Sequence, residues 1–151
     1  MYFKDYLKKF DNKKIKLFVD MDGVIVDYVV NDLDYSNKRP LLTNIKKIEE
    51  VSKMDNVDVF VLSISRTDKG IKQKLDWLNK YVPFIKNENK IIISRETSNI
   101  NTSYKIKTEY LKNLKRDGSI IIMLDDDPKI LKDIAKTSKD VILLKDCVLV
   151  D

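Results

Sequence analysis

Histidine is absent from this 151-residue chain, and cysteine occurs once, as Cys147. The first absence removes the imidazole general base and, with the second, any zinc site of the Cys/His type. A lone cysteine cannot close an internal disulfide, which points to a reducing, cytosolic setting. Glycine and proline are scarce, at three residues each, and no flexible linker or low-complexity block interrupts the chain. Long apolar runs are missing too. The cleanest, 120–124, is far shorter than the ~20 residues that span a bilayer. The first ten residues mix Lys4, Asp5, Lys8 and Lys9 with apolar side chains, unlike a signal peptide. A cytoplasmic protein with no membrane role is therefore expected. Its chemistry is left to carboxylates, lysine, arginine, hydroxyls and a hard cation.

What is present suits one globular domain over residues 1–151: 43% apolar and 35% charged residues, enough for a proper core. The net charge of +5 comes from lysines scattered among acids. The clustering expected of a nucleic-acid surface is absent, so such a partner is not favoured.

Apolar periodicity alternates between strands and helices. Phe3, Tyr6, Leu7 and Phe10 share a face of a short helix within Tyr2 to Phe10. Ile15 to Val19 reads as a buried strand. Val24 to Val26 and Tyr28 to Val30 read as short strands of a small flap, with a turn at Asn31-Asp32. A helix follows Pro40, with Thr43 or Asn44 as its N-cap and Ile45, Ile48 and Val51 as its stripe. The next strand is Val57 to Leu62, ending in Ser63. A helix over Asp68 to Tyr81 turns Ile71, Leu75 and Leu78 inward. Lys90 to Ile93 is a strand ending at Ser94. Ser103 is placed to cap a helix carrying Ile106, Tyr110, Leu111 and Leu114, and Asp117-Gly118 turns out of it. Ser119 to Leu124 is a strand, Pro128 opens a helix, Val141 to Leu144 is a fifth strand, and Val148 to Val150 a short sixth. This alternation predicts a doubly wound, Rossmann-like α/β domain with a mostly parallel, five-stranded central sheet.

Ligands of such sheets bind beyond the carboxyl ends of the strands. There the first strand offers Asp20 and Asp22, the second Ser63, and the fourth Asp125, Asp126 and Asp127. Asp20 and Asp22, at alternate positions, leave the strand in similar directions, and Gly23 lets the chain turn after them. Two unit charges about 4 Å apart repel by roughly 4 kcal/mol at an effective dielectric of about 20. Converging carboxylates thus need a cation or raised pKa values, and an all-oxygen donor set points to Mg²⁺. A single Asp in such a place is commonly a turn residue or helix cap, which suits Asp127-Pro128 but not the joint placement.

These residues resemble the motifs of the haloacid dehalogenase (HAD) superfamily of phosphohydrolases. Asp20-Met21-Asp22-Gly23-Val24-Ile25-Val26-Asp27 resembles its first motif, and Leu62-Ser63 after Val59-Phe60-Val61 its second. Lys107, within Lys107-Thr108-Glu109-Tyr110-Leu111, matches the motif lysine better than Lys105 does. Ile121-Ile122-Met123-Leu124-Asp125-Asp126 resembles the fourth motif. The resemblance implies that Asp20 is the nucleophile of an aspartyl-phosphate mechanism and that Asp22 is the acid and base. It implies Mg²⁺ on Asp20, the Asp22 backbone carbonyl, Asp125 and Asp126. It also places Gly23, Ser63, Ile64 and Lys107 around the phosphoryl group. Ser63 as a backbone-satisfying strand end and Lys107 as a solvated lysine are the plainer roles of the same residues. Arg66 and Arg95, after strand ends, are candidates for substrate contact.

Lys74-Leu75-Asp76-Trp77-Leu78 and Ile91-Ile92-Ile93-Ser94-Arg95 are similar to stretches of the 5'(3')-deoxyribonucleotidases, which implies a phosphorylated small molecule, a nucleotide among them, as substrate. Those enzymes carry a helical cap, for which residues 23–40 leave little room. A minimal or missing cap admits polynucleotide ends or phosphoproteins. Two rival readings are a receiver-like signalling domain and a catalytically idle binding domain.

Overall fold

Ile15–Val19, β-branched or aromatic at most positions, forms the central strand β1 of the computed structural model, which describes residues 2–29, 34–98, 100 and 102–150. β2 (Val57–Ser65) flanks it on one side and β4 (Ile120–Asp125) on the other. β3 (Lys90–Ser94) and β5 (Val141–Lys145) form the edges. The order is β3-β2-β1-β4-β5, and every pairing is parallel, where the sequence predicts a mostly parallel sheet.

Alternation along the strands divides the core between two faces. Leu17 and Val19 of β1 and Ile122 and Leu124 of β4 face one side, with Val57, Val59 and Val61 of β2. That side is covered by α1 (Phe3–Leu7), α2 (Leu42–Ser52) and α3 (Asp68–Tyr81) through Phe3, Leu7, Ile48, Trp77 and Leu78. Phe18, Leu62, Ile121 and Met123 face α4 (Ser103–Asn113) and α5 (Pro128–Thr137), which contribute Leu111 and Ile134. There Phe18 stacks on Phe60 at 4.7 Å between ring centroids and meets Tyr110 edge-on at 6.1 Å.

The crossovers run outward from β1 on one face, then return to β4 on the other, so the topological switch lies between β1 and β4. Ligand crevices of open α/β sheets form at that point. Receiver-type sheets have the order 2-1-3-4-5, and the order seen here argues against that rival reading.

Five local expectations are corrected. Val24, Ile25 and Val26 form no strand but a turn closed on Met21 O, with isolated bridges Asp22–Val26 and Val26–Pro40. The left-handed Gly23 (φ +80) starts that turn, which is why the β-branched run does not extend. The turn expected at Asn31-Asp32 lies outside the described residues. α2 begins at Leu42 with Leu41 in the cap position and no side-chain cap; Asn44 instead donates to Val24 O at 2.7 Å, tying the helix to the Gly23 turn. Residues Asp146–Leu149 form a 3₁₀ turn rather than a sixth strand, with Leu149 buried. On α3, Ile71 and Leu75 are half-buried, and the buried positions are Lys74, Trp77 and Leu78. α4 starts at Ser103, with Thr102 in the cap position. Among the described residues no helix is long and apolar enough to cross a membrane.

Candidate active site

β1 ends at Val19, and the Asp20 amide still donates to Leu124 O of β4 at 3.0 Å. This last rung of the β1–β4 ladder brings Asp20 beside Asp125 at the carboxyl edge. Both are buried, at 7% and 0% exposure. Lys107, from the first half of α4, reaches between them and is 2% exposed. Its Nζ donates to Asp20 Oδ1 and to Asp125 Oδ2, each at 2.7 Å. Lys105 points outward and is exposed. One oxygen each from Asp20, Asp125 and Asp126 falls within 4.8 Å of the others.

Crowding sets the protonation of this group. Burial, aided by the charges of Asp125 and Asp22, pushes the Asp20 carboxyl up to about 7 although Lys107 opposes it. Burial and then the Asp20 charge push Asp126 up to about 6. Burial also raises Asp125, against Lys107 and the Asp127 amide. For Lys107, burial would lower the ammonium, but Asp20 and Asp125 outweigh it and hold it above its ordinary value. The three crowded carboxylates, partly neutralised by one buried lysine, form a donor set of oxygen only, in a chain without histidine. They fit a hard divalent cation of the Mg²⁺ type.

Gly23 explains how Asp126 comes so close to the first motif. A Cβ there would lie 1.9 Å from Asp126 Oδ2, besides needing φ +80. The Gly23 amide donates to Val26 O at 2.8 Å and is used inside the turn. The missing side chain leaves Asp126 the clearance it occupies beside the turn. Asp127 accepts from Lys129 N at 2.9 Å and caps α5, the common fate of an Asp before Pro.

Asp22 stands apart from the three-carboxylate group. Its Oδ1 accepts from Tyr35 OH and lies 3.8 Å from Lys38 Nζ, and its Oδ2 lies 3.5 Å from Lys74 Nζ. Lys38 and Lys74 flank the Tyr35 ring, with Nζ at 4.2 and 5.1 Å from its centroid. Trp77 Nε1 donates to Lys38 O at 3.0 Å, fastening this segment to α3. Ser63, 1% exposed at the end region of β2, accepts from Lys74 Nζ at 2.8 Å, and Ile64 O accepts from it at 2.7 Å. Burial holds Lys74 below its ordinary value despite Asp22 and Asp20.

A cleft of about 490 Å³ opens over these groups, lined by Asp20, Asp22, Ser63, Ile64, Lys107 and Asp126. Arg66, Arg95 and Tyr28 form its outer wall. Sequence reasoning gave no role to Lys74, Lys38 or Tyr35. Lys74 was detectable as a lysine on the apolar stripe of α3, three residues from Ile71 and four from Leu78. Tyr35 and Lys38 lie in an irregular segment where periodicity carries no signal.

No protein-family model matches the sequence, and no curated protein matches it. Solved structures do share its fold. The HAD domain of the effector protein Lem4 from Legionella pneumophila has a TM-score of 0.56 at 16% identity, over 87% of this chain and 85% of that one. A chain of the Pnkp1/Rnl/Hen1 RNA repair complex gives 0.66 at 14% identity, over 89% of this chain and 43% of the other. The class C acid phosphatase from Bacillus anthracis, with tungstate bound, gives 0.57 at 15% identity, over 95% and 71%. At these identities the likeness is one of fold alone: an all-parallel, five-stranded sheet flanked by helices, of the HAD type those structures share.

Proposed function

We propose that this protein is a Mg²⁺-dependent phosphomonoester hydrolase working through an aspartyl-phosphate on Asp20. The observation that carries the reading is Lys107 bridging Asp20 and Asp125, with Asp126 beside them, at the floor of an open cleft.

Asp20, Asp125 and Asp126 would hold the cation, with the Asp22 backbone carbonyl as a further oxygen. When bound, it would screen the carboxylates from an anionic substrate and stabilise charge on the transferring phosphoryl group. Lys107 keeps Asp20 oriented and adds positive charge at the same place. In the first half-reaction a carboxylate oxygen of Asp20 attacks phosphorus, the phosphorus–oxygen bond to the alcohol breaks, and Asp22 gives its proton to the departing oxygen. In the second, Asp22 takes a proton from water, the water oxygen attacks phosphorus, and the Asp20–phosphorus bond breaks to release inorganic phosphate. Ser63 would hydrogen-bond a phosphoryl oxygen, and Ile64 would line the same pocket.

A nucleotide is the substrate class we favour. Arg66 and Arg95 on the wall are exposed, and their guanidiniums make no ion pair among the described residues; Tyr28 beside them offers a ring for a base. A nucleic-acid end is the second reading, favoured by the absence of a capping helix or extended strand among the described residues between Gly23 and Pro40. Turnover of an aryl phosphate with Mg²⁺, abolished in Asp20→Asn while the fold is kept, tests the proposal. Unchanged turnover in that variant would refute it.

A further inference from the structure

Lys74 is buried at 5% exposure behind Ser63, on a helix face otherwise given to Trp77 and Leu78. An unneeded ammonium there would be costly, because burying a charge is unfavourable unless it is fully hydrogen-bonded. The approach of α3 to β2 is built closely. Thr67 caps the helix by accepting from Gly70 N at 3.0 Å, and a Cβ on Gly70 would meet Ser65 Oγ at 2.4 Å. One turn further on, this packing brings Lys74 Nζ to three acceptors: Ile64 O at 2.7 Å, Ser63 Oγ at 2.8 Å and Asp22 Oδ2 at 3.5 Å.

An ammonium has three protons and no lone pair, and a serine hydroxyl has one proton and two lone pairs. Ile64 O and the Asp22 carboxylate can only accept. Ser63 Oγ must therefore accept from Lys74 and cannot return its proton to that nitrogen. No other partner for Ser63 Oγ exists among the described residues, and the side chain lines the cleft.

We propose that Lys74 is a positioning residue that fixes Ser63 Oγ as an acceptor on its buried side, so that the hydroxyl proton points into the cleft as a donor to a phosphoryl oxygen. The inference rests on the phosphatase reading for its catalytic consequence, and on geometry alone for its effect on phosphate binding. It separates Lys74 from Lys107: one acts through Ser63, the other on Asp20 directly.

The test is a double-mutant cycle of Lys74→Met and Ser63→Ala in the full chain with Mg²⁺, read by calorimetric binding of inorganic phosphate and by kcat and KM on an aryl phosphate. Lys74→Met should weaken phosphate binding and lower kcat, each about tenfold, as expected for losing an oriented donor. In the Ser63→Ala background the same substitution should change phosphate binding by less than about twofold, while kcat can still respond through Asp22, which Lys74 also faces at 3.5 Å. Lys74→Gln, a milder change, should show the same dependence on Ser63 should Lys74→Met fold poorly. Full phosphate affinity in both lysine variants, or an equal loss with and without the Ser63 hydroxyl, overturns the proposal. Absent phosphate binding by the wild type overturns it as well. If the wild type binds phosphate and the cycle is coupled, yet no phosphomonoester is turned over, the phosphatase reading fails and the positioning role stands.

Discussion

The ammonium of Lys107, 87 positions along the chain from Asp20, donates a 2.7 Å hydrogen bond to that residue's Oδ1. Because its other acceptor is Asp125, a single buried cation ties the head of β1 to the head of β4. Removing it would leave two buried carboxylates without their counter-charge, a change that typically costs about 3–5 kcal/mol. Lys107→Met should therefore lower both the melting temperature of the metal-free protein and kcat, the latter by about a hundredfold or more. Lys105→Met, on the exposed side of α4, should leave both within about twofold or a degree. Thermal melts and steady-state kinetics on the pair decide this, and the reverse ranking would move the motif lysine to Lys105.

Gly23 and Gly118 share a left-handed backbone, with φ of +80 and +87. Their surroundings differ. A Cβ at Gly23 would collide with Asp126, whereas one at Gly118 would meet nothing within 4 Å. Each Ala variant should lose about 1–2 kcal/mol from backbone strain. Only Gly23→Ala should also weaken Mg²⁺ binding, by about tenfold or more, since Asp126 has to move. Calorimetric Mg²⁺ titration of both variants separates strain from displacement; equal Mg²⁺ affinities would refute the clearance role of Gly23.

The Asp20 carboxyl titrates at about 7 in the folded protein against an ordinary 3.8. Between those values the folded chain binds more protons than the unfolded one. Its contribution to stability is thus lost as pH rises through the window. In chelator, the melting temperature should fall by a few degrees between about pH 5 and about pH 8, and added Mg²⁺ should raise it far more at the upper pH. Chelator should also stop turnover. A melting temperature that climbs across the window without metal, or a Mg²⁺ effect of the same size at both ends, would contradict the crowded-carboxylate account.

Tyr35 donates to Asp22 Oδ1, while the Asp22 carboxylate stays outside the group formed by Asp20, Asp125 and Asp126. Tyr35→Phe should accordingly reduce kcat by about threefold to tenfold and leave Mg²⁺ affinity unchanged. A large loss of Mg²⁺ affinity would mean that Tyr35 supports the cation cluster instead.

The strands were legible because β-branched runs such as Ile15–Val19 and Ile120–Leu124 have no helical spacing and end in polar residues. Asp20, Ser63 and Asp125 could be grouped because strand ends of a parallel sheet share one edge. Lys107 was legible only through its order among the motifs; nothing local distinguishes it from Lys105, and burial does. The surroundings of Asp22 were hidden for two physical reasons. Tyr35 and Lys38 belong to a segment without periodicity, and Lys74 looks like one charged position among apolar ones on α3. The Gly23 turn misled the reading of Val24 to Val26, since a positive φ overrides strand propensity without changing composition.

The central claim is that Asp20 carries the phosphoryl group during turnover. Rapid acid quenching of the Mg²⁺-loaded protein during hydrolysis of an aryl phosphate, followed by peptide mass analysis, should find one phosphate on the peptide holding Asp20, and none in Asp20→Asn. Steady turnover with no phosphorylated protein at any quench time, or phosphate on a residue other than Asp20, would contradict the account.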